Sequence, residues 1–234
     1  MEKRDFRQDI EGYPETVAEI AALKKYALER TVERGLVDRV MGRLHPKRLH
    51  LRVSEIRRET DSTKTLRLVS ADDHGLPPFL AGQFINLFAR VNGVRTARPY
   101  SISSSPAQTA YYDITVRQVE EGFVSNHLLE DVTPGDLLDS TAPEGCFYYN
   151  PLLHGQDLVF LAGGSGITPF MSMIREWTDR GLDRRIHLLY GSRDPGDVIF
   201  GTELEERAAR HQNLNFTPVI SEPPPGYDGC TGFI

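Results

Sequence analysis

Four consecutive residues, Arg98, Pro99, Tyr100 and Ser101, include side chains suited to a flat heterocycle that carries a phosphate. An arginine guanidinium is a planar fork that matches phosphate oxygens, a tyrosine ring can lie on a heterocycle, and a serine hydroxyl can hydrogen-bond a ring nitrogen. The string ends a run typical of a β-strand, in which successive side chains alternate between two faces. An edge strand with ordinary polar residues would give the same string.

A second candidate site comprises Gly122, Phe123, Val124 and Ser125. A predicted strand gives way here to glycine, and a helix is expected over about 124–131 with Ser125 near its N-cap. Free backbone N–H groups and the positive end of the helix dipole make such a position suitable for an anion. A plain capped helix is the alternative interpretation.

The third candidate site is a glycine-rich turn between an apolar run and a predicted helix. It contains Gly163, Gly164, Ser165, Gly166, Ile167, Thr168 and Pro169. Glycines allow the backbone to turn sharply and to approach a pyrophosphate, whose charge lies at the helix N-terminus. Gly164 and Gly166 match the first two glycines of the G-x-G-x-x-G fingerprint of dinucleotide-binding folds, whereas Pro169 occupies the place of the third.

The elements that must position these sites fall into three groups. Apolar residues at three- and four-residue spacing between Pro14 and Leu44 predict two amphipathic helices. Six short runs rich in β-branched and aromatic residues then predict a small antiparallel barrel. The runs are 49–56, 63–69, 84–90, 95–103, 112–119 and 137–141.

From Asp157 the pattern becomes that of a parallel α/β domain. Strands are expected at 158–162, 186–190 and 215–219, with helices at 169–180 and 202–211. The first of these strands is continuously apolar, so we expect both of its faces to be covered. The predicted domains are a helical extension over 1–45, an antiparallel barrel over 46–154 and an α/β domain over 155–234.

Composition argues against several classes of protein. The 234 residues include 33 acidic and 27 basic ones, a net charge of −6, so a nucleic-acid partner is not expected. No stretch approaches the roughly 18 apolar residues needed to cross a bilayer, and the start lacks the apolar core of a signal peptide, which predicts a cytoplasmic protein. Two cysteines, Cys146 and Cys230, are too few for an iron–sulfur cluster within this chain.

Five motifs, in this order, resemble those of the ferredoxin–NADP reductase superfamily. They are 98–101, 122–125, Ala-Pro-Glu-Gly-Cys-Phe at 142–147, the glycine turn at 163–169 and Tyr-Gly-Ser-Arg at 190–193. The resemblance covers Leu49 to Ile234 and does not extend to the N-terminal helices. It implies a flavin-dependent oxidoreductase that transfers electrons from NAD(P)H through a flavin to an iron–sulfur protein or another one-electron acceptor. FAD is implied rather than FMN, because FAD is the commoner cofactor of the superfamily.

The resemblance also implies roles for residues of the barrel. Arg98 would contact the flavin phosphate, Tyr100 the isoalloxazine ring or the ribityl chain, and Ser101 the region of flavin N5. Pro99 belongs to the same cofactor-binding strand. Residues 122–125 would hold the phosphates. A metal site is not expected.

In the α/β domain the resemblance implies that the nicotinamide cofactor contacts Gly163, Gly164, Gly166, Thr168 and Pro169. Thr168 would lie nearest the nicotinamide, so Ser101 and Thr168 are the candidate catalytic residues. The protein must stack the nicotinamide on the flavin and exclude water, which requires no catalytic acid–base pair.

Cofactor preference depends on Ser192 and Arg193, which follow the second parallel strand. An arginine there can pair with the 2′-phosphate of NADP, whereas an acid favours the ribose hydroxyl of NAD. Asp194 is adjacent, so the sequence leaves NADH and NADPH open, and Arg193 could equally be a surface residue.

The chain differs from the superfamily pattern at its end. Members continue beyond a Thr-Gly-Phe-Ile string, which here is 231–234, to a further helix and a Cys-Gly-Pro turn. The sequence is therefore expected to be C-terminally truncated relative to the family, with an incomplete NAD(P)-binding domain. The alternative function is a flavin-carrying or scaffold subunit of a larger redox complex, docked through its N-terminal helices.

Overall fold

The computed structural model describes residues 48–72 and 75–234 and, within the first 47 residues, Ala18 alone. The two helices predicted between Pro14 and Leu44 therefore lie outside the described residues. In the described part, no helix is long and apolar enough to span a membrane.

Six strands form an antiparallel sheet, as predicted. They are β1 (Leu49–Thr60), β2 (Thr63–Ser70), β3 (Phe84–Val91), β4 (Val94–Ser101), β5 (Tyr112–Arg117) and β6 (Leu137–Ser140), in the order β4-β3-β6-β1-β2-β5. The edge strands β4 and β5 meet beyond the end of β4, where Ile102 bridges Ile114 in antiparallel register and the Ser103 amide donates to the Asp113 carbonyl at 2.8 Å. This seam closes the sheet into a barrel.

The barrel core follows from the alternation of side chains along the strands. Leu51 and Val53 of β1, Leu66 and Leu68 of β2, and Ile85 of β3 are completely buried at two-residue spacing. Helix α1 (Phe123–Glu130) adds Val124 and Leu128 to the same core. Because the core is continuous, the strands that carry the candidate flavin site rest on a packed support.

The rest of the chain forms a parallel α/β sheet. The elements are β7 (Asp157–Gly163), α2 (Ile167–Asp179), β8 (Arg185–Ser192), α3 (Gly201–Arg210), β9 (Leu214–Ile220) and β10 (Cys230–Thr231), with strand order β10-β9-β8-β7. Each predicted element is present within a few residues of its expected bounds. Strand β10 was not predicted, because its two residues are too few to give a pattern; they pair with Val219 and Ile220 of β9.

The expectation that both faces of β7 are covered is wrong in the described structure. Phe160 and Ala162 are buried, but Val159 and Leu161 on the opposite face are 65% and 61% exposed. The reason is that α2 and α3 both pack on the face that carries Phe160. The apolar run in the sequence indicates that a strand is present, but it does not indicate whether helices cover one face of that strand or both.

Residues 46–234 form one compact unit that contains both sheets. We call β1 to β6 with α1 the barrel lobe, and β7 to β10 with α2 and α3 the α/β lobe. The bounds predicted for the three domains stay predictions.

Candidate functional site

Strand β4 presents residues 98–101 at the edge of the barrel sheet. Pro99, which lacks an N–H donor, is compatible with an edge strand. The Arg98 guanidinium is exposed and donates only to nearby oxygens, Thr96 Oγ1 at 3.0 Å and the Ala97 carbonyl at 2.8 Å. Both bonds are local and exposed, so a phosphate can replace them at little cost.

Tyr100 is the half-buried member of this group and packs against the barrel core. Burial raises the pKa of its phenol, and the positive charge of Arg98 opposes that rise. The hydroxyl therefore stays protonated at neutral pH. Ser101 ends the strand opposite Phe84 of β3, at the point where the chain turns towards the seam.

The start of α1 is a backbone site without a side-chain cap. Gly122 is the N-cap residue, and Ser125, which was expected near the N-cap, lies three residues after it. Ser125 is the third helical residue, and its hydroxyl accepts from the Val119 amide at 3.4 Å. A Cβ at Gly122 would collide with Ser125 Oγ and the Val119 carbonyl, so the position requires glycine. Val124 points into the core, whereas Phe123 is 42% exposed.

The seam between β4 and β5 brings these two parts together. Because Ile102 opposes Ile114 in an antiparallel register, the residues before Ile102 lie alongside the residues that follow Ile114. The second of these segments leads through Arg117 directly to Gly122. The end of strand 98–101 therefore meets β5 at the seam, and the chain continues from β5 through residues 118–122 to the start of α1.

The glycine turn forms as predicted between β7 and α2, with a single 3₁₀ turn over Gly164–Gly166. Thr168 is buried, and its hydroxyl donates to the Ser165 carbonyl at 2.9 Å. Pro169 is in the first turn of α2, where its missing N–H has no helical partner to lose. Thr168 therefore holds the turn in shape, and its contact with a nicotinamide stays a prediction.

Tyr190 of β8 also holds this turn. Its hydroxyl donates to the Gly164 carbonyl at 2.9 Å and accepts from the Ile199 amide at 3.2 Å. Burial raises the pKa of Tyr190 to about 12, so its hydroxyl stays protonated and can donate this hydrogen bond at neutral pH. The Tyr-Gly-Ser-Arg motif gives no sign of this role for Tyr190, because the carbonyl that it binds is 26 residues away in the chain.

Arg117 is a site residue that sequence reasoning missed. It ends β5 of the barrel, yet its Nη1 lies 2.7 Å from the point that a Cβ on Gly164 would occupy, and Gly164 has a φ of +49°. Its guanidinium also pairs with the buried Asp197 of the α/β lobe. A single arginine in a predicted strand carries no local signal, because its position depends on how the two lobes pack.

A cavity of about 250 Å³ opens at the carboxyl ends of the parallel strands. Its lining includes Arg117, Gly163, Gly164, Gly191, Ser192, Arg193, Ser221, Gly232, Phe233 and Ile234. Ligands of open parallel sheets bind at this edge, and a cation with glycine backbones matches a pyrophosphate. A larger depression of about 650 Å³ beside α3 is lined by four acidic residues, Glu59, Glu203, Glu205 and Glu206, and by one arginine, Arg58, so its lining is less suited to a phosphate. The residues of the smaller cavity therefore fit the pyrophosphate part of a dinucleotide.

Arg193 is 62% exposed and lies 3.5 Å from the carboxylate of its neighbour, Asp194. Asp194 in turn accepts from the Gly196 amide at 2.9 Å. The arginine available for a 2′-phosphate is thus partly neutralised by an acid available for a ribose hydroxyl.

Comparison with known proteins identifies both lobes. Residues 50–149 match the family model of the oxidoreductase FAD-binding domain, and residues 160–234 match that of the oxidoreductase NAD-binding domain. Together the two models cover about three quarters of the chain.

Two curated relatives are reductase components. The chain is 33% identical over 159 residues to the reductase component of phenol 2-monooxygenase from Pseudomonas sp. strain CF600, with 67% of this chain and 44% of the relative covered. It is 36% identical over 173 residues to the ferredoxin reductase component of 3-ketosteroid-9-alpha-monooxygenase from Mycobacterium tuberculosis, with 70% and 47% covered. The chain therefore spans less than half of the length of these relatives.

Among solved structures, phthalate dioxygenase reductase is similar, with 26% identity and a TM-score of 0.65 over 77% of this chain and 55% of that protein. The motifs, the topology and the family models agree. The chain belongs to the ferredoxin–NADP reductase superfamily, with an FAD-binding domain followed by an NAD-binding domain.

Proposed function

We propose that this chain is the flavin-dependent part of a reductase, which takes electrons from NAD(P)H onto FAD and passes them to an iron–sulfur protein or domain. The observation that carries the proposal is the position of Arg117. It belongs to the FAD-binding lobe, yet its guanidinium lies against Gly164 of the nucleotide turn. A side chain of the FAD-binding lobe therefore completes the nucleotide site.

On the flavin side, the residues of the barrel bind and orient. Arg98 neutralises the flavin phosphate, the N–H groups of residues 123–125 hold the pyrophosphate, and the Tyr100 ring supports the isoalloxazine or the ribityl chain. Ser101 hydrogen-bonds near flavin N5. The redox chemistry, acceptance of two electrons and their release one at a time, is supplied by FAD when it is bound.

On the nicotinamide side, Gly163, Gly164 and Gly166 let the backbone approach the pyrophosphate, and Arg117 adds a positive charge. Thr168 and Pro169 keep the turn in the shape that faces the flavin. Ser192 and Arg193 contact the ribose. With both cofactors bound, the two lobes would exclude water from the space between the flavin and the nicotinamide, where transfer would take place.

The acceptor is proposed from chemistry and from the relatives. The described residues contain no group of three or more histidine, cysteine or acidic side chains that could hold a metal ion. Both relatives are reductase components of monooxygenases by name, and the phthalate dioxygenase reductase is described as a modular structure for electron transfer from pyridine nucleotides to [2Fe-2S]. We infer that the chain works in the cytoplasm and delivers electrons one at a time to an iron–sulfur centre outside residues 48–234.

The test is anaerobic reduction of the purified chain loaded with FAD. NADH or NADPH should bleach the visible flavin absorbance, and the more effective nucleotide identifies the donor. Addition of an oxidised [2Fe-2S] ferredoxin should then restore the flavin spectrum. If FAD binds stoichiometrically but neither nucleotide changes its spectrum, the reductase proposal is wrong for this chain, and the flavin-carrying subunit becomes the better explanation.

A further inference from the structure

Helix α2 does more than begin at the nucleotide turn, because its middle is bonded to the barrel. Ser172 is fully buried, and its hydroxyl donates to the Ser104 carbonyl at 2.7 Å. One turn further on, Arg175 Nη1 donates to the Ser103 carbonyl at 2.8 Å. Two neighbouring carbonyls of the barrel lobe are thus held by two side chains of one helix.

The bonded carbonyls belong to the segment that directly follows the flavin strand. Ser103 and Ser104 lie two and three residues after Ser101, and both are buried. They are also fixed on the barrel side, where the Ser103 amide donates to the Asp113 carbonyl at 2.8 Å and Ser104 Oγ accepts from the Asp113 amide at 3.1 Å. A displacement of α2 would therefore be transmitted to β4 rather than absorbed by a loose loop.

A close packing contact lies between the two bonding residues of α2. Met173 is 4% exposed, and its Cε lies 2.7 Å from the point that a Cβ on Gly82 would occupy. Gly82, which precedes β3, has a φ of +103°. Ser172, Met173 and Arg175 thus seat the same stretch of helix on the barrel by a hydrogen bond, a packing contact and a second hydrogen bond.

Arg175 is itself held in place on the α/β side. It makes two bonds to Glu203 of α3, Nε to Oε1 at 2.9 Å and Nη2 to Oε2 at 2.5 Å, and its guanidinium lies 4.8 Å from the centre of the Phe200 ring. A bidentate pair of this kind fixes the plane of the guanidinium. The remaining donor is therefore directed at Ser103 by a rigid support.

We propose that Ser172 and Arg175 are positioning residues that set the distance between the flavin and the nicotinamide. The inference rests on the proposed function. Ser172 is four residues after Thr168, about 6 Å along the helix axis, and its partner Ser104 is three residues after Ser101, at most about 11 Å of chain. The path from one candidate catalytic residue to the other is thus short and crosses the lobes through one hydrogen bond, and the bond from Arg175 to Ser103 lies beside it.

Transfer between stacked rings is sensitive to small shifts, since a misplacement of about 1 Å can lower a rate about 100-fold. We expect Ser172→Ala and Arg175→Gln to lower the rate of flavin reduction at saturating nucleotide by about 10- to 100-fold, while the dissociation constants of FAD and nucleotide change by less than about threefold. The long-wavelength charge-transfer absorbance of the mixed protein, FAD and nucleotide should weaken in the same variants.

Arg207→Gln is the matched control. Arg207 also pairs with Glu203, at 2.9 Å, and with Asp179, at 2.7 Å, but these partners are both in the α/β lobe. Its loss disturbs the same network without touching the barrel carbonyls. The reduction rate of Arg207→Gln should remain within about threefold of the wild-type rate. An equal loss of rate in Arg207→Gln and Arg175→Gln would overturn the positioning role.

Amide hydrogen exchange gives a second measurement that needs no nicotinamide. In the FAD-loaded chain, Ser172→Ala should accelerate exchange both in 101–105 and in 163–171, because the two segments lose their common support. Unchanged exchange and an unchanged reduction rate would each contradict the proposal. If the exchange responds but wild-type protein is reduced by neither nucleotide, the proposed function has failed, and the positioning role fails with it.

Discussion

The two lobes solve the problem of building a cofactor site in different ways. The barrel closes on itself through the Ile102–Ile114 bridge and surrounds one apolar core, so its site is built from a strand edge and a helix start of the same lobe. In the described residues, the α/β lobe has helices on only one face of its sheet. Its nucleotide site includes Arg117, which belongs to the barrel lobe. The nucleotide site therefore depends on lobe packing, whereas the flavin site depends on the register of the barrel strands.

The largest expected effect is a difference in stability loss between a substitution in the barrel core and one on the uncovered face of β7. Leu66→Ala in the barrel should lower the free energy of unfolding by about 2 to 5 kcal/mol, because the side chain is completely buried and leaves a cavity. Leu161→Ala on the exposed face of β7 should change it by about 0.5 kcal/mol or less. Chemical denaturation of the two variants measures the difference, and similar losses would indicate that the β7 face is covered in solution.

Substitution of Arg117 should weaken nucleotide binding and leave FAD binding almost unchanged. Arg117→Ala deletes the positive charge at Gly164 and leaves the Asp197 carboxylate unpaired beside the cavity, so nucleotide binding should weaken by about 1.5 to 3 kcal/mol. FAD affinity should change little. Arg185→Ala is the control, since Arg185 pairs with Asp157 at the opposite ends of the same strands. Titration calorimetry with each cofactor measures both affinities, and a loss of FAD affinity as large as that for the nucleotide would contradict the assignment.

Arg98→Ala should have the opposite selectivity, because Arg98 belongs to the candidate flavin site. The variant should weaken FAD binding by about 1 to 3 kcal/mol, the range for a lost charge-assisted hydrogen bond, and should leave nucleotide binding intact. Folding stability should stay close to that of the wild type, because the bonds of Arg98 are exposed and local. Arg95→Ala on the same exposed strand is the control. Wild-type FAD affinity measured by fluorescence quenching would refute the role of Arg98.

The smallest expected effect is the loss of the stabilising contribution of Glu203 at low pH. Burial raises the pKa of Glu203, but its bonds with Arg175 and Arg207 outweigh burial, so the pKa lies below the ordinary value of 4.5. A carboxyl group with a lowered folded-state pKa stabilises the fold above the unfolded value, and that contribution is lost as the pH falls through the folded value. The Tm difference between wild type and Glu203→Gln should therefore be constant near pH 6 to 7 and shrink below pH 4.5. A difference that is independent of pH would show that the charge of Glu203 is not the cause.

Most of the strands and helices could be predicted because their signals are local. Alternation along β1 to β3 and the glycines around Gly164 depend on residues that are neighbours in the chain. The prediction of burial was wrong where burial depends on elements that are distant in the chain. Val159 belongs to a continuously apolar run and resembles a buried residue, although no described helix covers it.

The sequence by itself determined the order of the elements, the glycine turn at 163–166 and the family, because glycine, proline and alternating apolar residues restrict the backbone locally. Only the tertiary structure decided which side chains complete the sites. Arg117 reaches Gly164, Tyr190 holds the Gly164 carbonyl, and Arg175 reaches Ser103 across 72 residues of chain. These contacts depend on the packing of one lobe against the other, and a long polar side chain in a string does not say which distant carbonyl or carboxylate it will meet.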